Sequence, residues 1–126
     1  MKKVICCLLA IVTVLVVFTA CGEKRPENIG DEYYEYGCKA LDIIDQYLDK
    51  TIDAKTASDR LFNLKTVVGD RLPETEFGDP THRNDFNIKS AVSSAYFELW
   101  EIDFGTGSQD DLKEDRAELA ALLGKR

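Results

Sequence analysis

The sequence predicts an all-α domain: a small antiparallel bundle of three main helices with a weaker fourth at the C-terminus. Three observations carry that expectation. Apolar residues recur at steps of three and four in several segments. No stretch alternates apolar and polar residues for more than a few positions. Short polar connections carrying helix-start and helix-stop residues divide the segments from one another.

The first helix is expected from about Asp31 to Asp49. Tyr34, Gly37, Leu41, Ile44 and Leu48 share a face, whereas Asp42, Asp45 and Asp49 fall elsewhere. Tyr33 and Tyr36 then flank that face or point outward. A glycine costs about 1 kcal/mol relative to alanine inside a helix. Gly37 lies on the apolar stripe, so its compensation is the close approach of a neighbouring helix. The connection "DKTIDAKTASD" (49–59) restarts the chain at Asp53, whose carboxylate suits an N-cap. Ile52 and Ala57 are placed for a weak hydrophobic staple. The second helix carries Ala57, Leu61, Leu64, Val68 and Leu72 on one face and is expected to run to about Leu72, before Pro73. So short a connection makes the two helices antiparallel.

Residues 73–84 read as a polar loop. A third helix is expected from Asp85 to Asp103, with Asn84 as its cap and Ile88, Ala91, Val92, Ala95, Leu99 and Ile102 as its stripe. Tyr96, Phe97 and Trp100 lie off that stripe, as a second apolar edge or as packing for the fourth helix. "FGTGS" (104–108) reads as a turn. The fourth helix is expected from Gln109 to Leu123, capped by Ser108, with Asp111 at the capping-box position and Gly124 as its stop. Its apolar face is thin, with Leu112, Leu119, Leu122 and Leu123, which leaves open whether it docks firmly or frays.

The first 21 of the 126 residues stand apart from this pattern. Met1, Lys2 and Lys3 form a positive start, and residues 4–20 are apolar except for two threonines. The run ends in "FTAC" (18–21). Phe18, Thr19, Ala20 and Cys21 resemble the lipobox of bacterial lipoproteins, although Phe18 stands where leucine is usual. The resemblance implies cleavage before Cys21 and a diacylglycerol on its sulfur. Two acyl chains hold a protein stably on a bilayer, because each buried methylene contributes about 0.8 kcal/mol. The expected organisation is thus a lipoprotein signal peptide over 1–21, a tether over 22–30 and a helical domain over 31–126. An uncleaved apolar anchor or an ordinary secretory signal would also leave the domain on the outer side of the membrane.

Charge narrows the partners. The chain carries −7 overall, and 23 acidic against 14 basic residues beyond position 21. Such a body is repelled by phosphate backbones, so nucleic acid is not an expected partner. Cys6, Cys7 and Cys21 belong to the leader. Cys38 is left alone in the domain, which excludes a disulfide framework.

No motif names a reaction. Asp79, His82 and Asp85 are spaced by three, yet Pro80 interrupts a regular turn and no second histidine exists. Asp49, Thr51 and Asp53 imitate the start of a calcium loop, which then fails at Ala54 and Arg60. Residues 105–108 lack the lysine and the preceding strand of a phosphate loop. Cys38 has acidic and aromatic neighbours, which suits a structural thiol better than a nucleophile. We therefore expect no catalytic residue, metal or cofactor. "DEYYEYG" (31–37) is the unusual stretch. Its Tyr33, Tyr34 and Tyr36, ringed by carboxylates, are candidates for contact with a basic or amphipathic partner. The alternative is that their rings line groove edges with the hydroxyls in water.

With the leader, "YYEYGCKALDIIDQYLD" and "IDAKTASDRLFNL" are similar to small uncharacterised lipoproteins of clostridial-type Firmicutes built around a helical hairpin. The resemblance spans residues 1–72 and implies no activity. The resulting expectation is a lipid-anchored, non-enzymatic helical module on the outer face of a bacterial membrane, serving protein interaction or envelope structure. The alternatives are a small solute- or metal-binding accessory lipoprotein and, behind it, a small hydrolase.

Overall fold

The computed structural model describes residues 25–74 and 84–126. These form α1 (Asp31–Leu48), α2 (Ala54–Val67), α3 (Asp85–Asp103) and α4 (Gln109–Leu122), with one turn of 3-10 helix at Gly69–Arg71 after α2. Among the described residues there is no strand. The all-α bundle expected from the periodicity is the fold observed.

Each helix begins and ends for a local reason. Asp53 caps α2 by accepting the Thr56 amide at 2.7 Å. Hydrogen bonds from Thr56, its hydroxyl first and its amide second, hold the Asp53 carboxyl below its usual range. Ser108 caps α4, its hydroxyl oxygen accepting the amides of Asp110 and Asp111. The return bond of a capping box is not made by Asp111, however. The Ser108 amide donates instead to the Glu98 carboxylate of α3 at 2.7 Å, so this cap also ties two helices together. Gly124 ends α4 at φ 69, where a side chain would be strained.

Two expected boundaries are corrected. The second helix stops at Val67 rather than Leu72. Pro73 pushes Leu72 into extended backbone (ψ 145), and the chain tightens into the 3-10 turn before it. Leu72 is buried nonetheless. At the start of α3, Asn84 is itself helical (φ −93, ψ −7) and provides no side-chain cap. The neighbouring Asp85 is buried, and its carboxylate accepts the Gly30 amide at 2.9 Å.

That bond also fixes the segment just before α1 onto the bundle. Ile29 is only 2 % exposed, and the Asn28 carbonyl accepts the Asn84 amide at 3.3 Å. The helical body therefore begins near Asn28, not at Asp31. Docking Ile29 removes a large aliphatic side chain from water, which favours the packed state by about 2 kcal/mol.

α1 and α3 each pack against the other three helices, with α2 and α4 lying against both. Their shared core contains Ile44, Leu61, Ile88, Val92, Leu99, Leu112, Leu119 and Leu123, each fully buried. The open question about the last helix is answered by Leu112, Leu119 and Leu123, all at 0 % exposure: its apolar face is thin but docked. Arg116 of α4 adds a two-pronged contact to Asp45 of α1 at 2.7 and 3.2 Å. Gly37 allows a close approach of α1 to its neighbours, since a Cβ there would lie 2.8 Å from a Leu123 methyl and 3.2 Å from Ile88.

Candidate interaction surface

The tyrosines singled out from sequence are placed differently from expectation. Tyr33 and Tyr36 are 4 % and 2 % exposed, whereas Tyr34 is only half-buried. The buried arc of α1 is wide because three helices cover it. It runs through Tyr33, Tyr36, Gly37, Ala40, Leu41 and Ile44. This corrects the assignment of Tyr34 to the stripe with Tyr33 and Tyr36 outside it.

The two buried rings have structural work. The Tyr33 hydroxyl donates to the Pro73 carbonyl. The Tyr36 hydroxyl lies against Gly69, where a Cβ would come within 3.0 Å of it. Together they fasten the end of α2 to the start of α1. Burial, helped by the nearby Asp70 carboxylate, pushes the Tyr36 hydroxyl up to about 12. Lys125 carries its ammonium 5.9 Å from the Tyr34 ring. These contacts leave only Tyr34 of the three partly open to a partner.

The large exposed aromatic surface is on α3 and the adjoining edge of α2. Phe97, Trp100 and Phe104 are 58 %, 45 % and 65 % exposed, and Phe62 is 53 % exposed. Their spacing explains the arrangement. Positions 97, 100 and 104 step by three and four, a second helical stripe roughly opposite the core stripe of Ala91, Ala95 and Leu99. The Trp100 and Phe104 ring centroids lie 4.6 Å apart. Tyr96 stands 5.5 Å from Phe97 and 6.0 Å from Phe62, bridging to α2. Of the two readings open for Tyr96, Phe97 and Trp100, the structure selects the apolar edge. Phe62 and Phe104 complete it, and neither attracted attention in the sequence.

Lys65 of α2 sets its ammonium over this edge, 4.6 Å from the Tyr96 centroid and 5.5 Å from that of Phe97. Burial beside the rings lowers its pKa, partly offset by Asp70. The aromatic faces thus already accept one cation from within the chain.

Charge is unevenly distributed along the bundle. Antiparallel packing gathers the end of α1, the start of α2, the end of α3 and the start of α4 at one end. Three bonds mark it: Gln109 donates to the Tyr47 hydroxyl at 3.2 Å, Arg60 donates to Gln46 at 2.8 Å, and Arg116 donates to Asp45. Residues 42–60 and 98–116, which make this end, hold twelve carboxylates against five basic side chains. The remaining described residues hold eight against seven. Trp100 and Phe104 lie in the acidic end.

Other candidates offer less. The lipid-attachment motif expected at Phe18, Thr19, Ala20 and Cys21 lies outside the described residues, as do Asp79 and His82. Among the described residues no group of three or more His, Cys, Asp or Glu side chains is placed to hold a metal ion. Asp53 is engaged as a cap, and Asp85 holds Gly30. Cys38 is a free, half-buried thiol packed against the core. The Asp115 carboxyl is pushed up by burial, with like charge from Glu98, Glu118 and Asp111, while the Ser94 hydroxyl bonded to it at 3.1 Å acts the other way. This is a contact between α3 and α4. A groove of about 400 Å³ lies between Tyr36, Lys65, Gly69, Asp70, Phe86 and Lys89. No family model, curated protein or solved structure matches the chain.

Proposed function

We propose that this chain is a lipid-anchored module on the outer face of a bacterial membrane, holding a protein partner of the envelope on the aromatic row of α3. The row carries the binding half of the reading. Phe97, Trp100 and Phe104 expose large apolar area on a helix whose other side is locked into the core. Contiguous exposed aromatic surface on a rigid element is the kind that anchors protein partners. "FTAC" carries the tethering half, with Cys21 as the acylated residue. With the body starting near Asn28, a tether of about six residues spans at most ~20 Å, so the domain stays near the bilayer.

The two halves have separate tests. Cells fed a labelled fatty acid should label the wild-type chain and not Cys21→Ser; label on both would remove the anchor. Envelope extract passed over immobilised wild-type chain should yield a retained protein that is lost from the Trp100→Ala/Phe104→Ala chain. Equal retention by both would remove the surface.

A further inference from the structure

We propose that the partner presents a basic, amphipathic segment, whose apolar side chains cover Phe97, Trp100 and Phe104 and whose lysines or arginines meet the acidic end of the bundle. This rests on the aromatic row being the partner surface, and charge chooses among its possible occupants. A second copy of the chain would bring together two ends that each carry twelve carboxylates against five basic groups, which repel. An anionic bilayer surface meets the same objection. A basic segment gains from both features at once. Its apolar face buries the rings, and its cations find the exposed carboxylates of Glu101 and Asp103, next to Trp100 and Phe104 in sequence, while Asp59 is already paired with Lys55 at 2.9 Å.

The rings themselves favour cations. Lys65 already lies over Tyr96 and Phe97. Among the described residues no cation of the chain lies over Trp100 or Phe104, whose rings meet at an interplanar angle of 50° with centroids 4.6 Å apart. That pair offers open aromatic faces next to Asp103. A partner guanidinium or ammonium set there repeats the Lys65 arrangement one helical turn along, and a neighbouring carboxylate strengthens it.

Trp100 is the only tryptophan of the chain and reports on its own surface. The full chain is placed in phosphatidylcholine nanodiscs and titrated with three 18-residue helical peptides. They share leucines at i, i+3, i+4 and i+7 and differ only in a Lys, Gln or Glu polar face. The Lys peptide should shift Trp100 emission to the blue and saturate, weakening as salt rises, while the Glu peptide binds about tenfold more weakly or not at all. Exchange of Glu101 and Asp103 for lysine, both exposed, should narrow the difference between the Lys and Glu peptides when followed through a fluorophore on the peptide, and an unchanged difference would count against the charge assignment. Equal binding of all three peptides would overturn the charge assignment while leaving the row as a partner surface. So would failure of the Lys peptide to bind while a protein is still captured through Trp100 and Phe104. Loss of that capture as well would remove the surface itself.

Discussion

Tyr36 places a phenol hydroxyl inside the joint between α1 and the end of α2, and the consequence is a pH dependence. Its folded-state pKa is raised to about 12, against about 10 for a tyrosine in an unfolded chain. Between those values the unfolded state has lost a proton that the folded state keeps. The contribution is therefore fully present below about pH 10 and is lost as pH rises towards 12. An absorbance titration should show a late tyrosine ionising together with loss of the helical circular dichroism. Tyr36→Phe should remove that late step. A Tyr36→Phe chain with the wild-type titration would contradict this placement. Gly37 makes a second residue-scale prediction. With 2.8 Å available to a Leu123 methyl and 3.2 Å to Ile88, a branched side chain must displace the core. Gly37→Val should lower unfolding free energy by about 2 kcal/mol in urea. A neutral result would mean that α1 and α4 are not in contact there.

At the scale of the element, α3 is apolar on two sides for two different reasons. One side is core, and the other is the aromatic row. Substitutions should separate them from each other and from the docked face of α4. Leu119→Ala, at a fully buried position of α4, should cost about 2–5 kcal/mol. Phe104→Ala, at 65 % exposure, should cost under about 0.5 kcal/mol. A costly Phe104→Ala would place the row in the core and end its candidacy as a binding surface.

The helices themselves were legible in the sequence because each core stripe repeats at three and four, and because Asp53, Ser108 and Gly124 mark starts and stops by local chemistry. What escaped depended on neighbours. Spacing fits Tyr33–Gly37–Ala40–Ile44 as well as Tyr34–Gly37–Leu41–Ile44, and only contact with three helices makes the buried arc wide enough for both Tyr33 and Tyr36. The docking of Ile29 depends on Asp85, distant in sequence. The Ser108 amide finds Glu98 rather than Asp111 because α3 lies alongside. Phe97, Trp100 and Phe104 formed a second stripe in plain view, but periodicity does not say which of two stripes is covered.

For the whole molecule, the uneven charge is the organising feature. The aromatic row runs into the end that bears most of the net negative charge, and self-repulsion there opposes the compact state. Raising sodium chloride from low to moderate concentration should therefore raise the melting temperature of the free chain. A fall would mean that the ion pairs, Asp45 with Arg116 among them, outweigh the repulsion. In the lipid-anchored arrangement proposed above, a short tether would keep this body and its partner close to the membrane. A photo-reactive amino acid placed at Phe104 in living cells tests that claim most directly, with the same group at exposed Glu114 of α4 as the comparison. A discrete protein adduct from position 104 and none from position 114 is the predicted result. No adduct at 104, or the same adducts from both positions, would contradict a binding surface on the aromatic row.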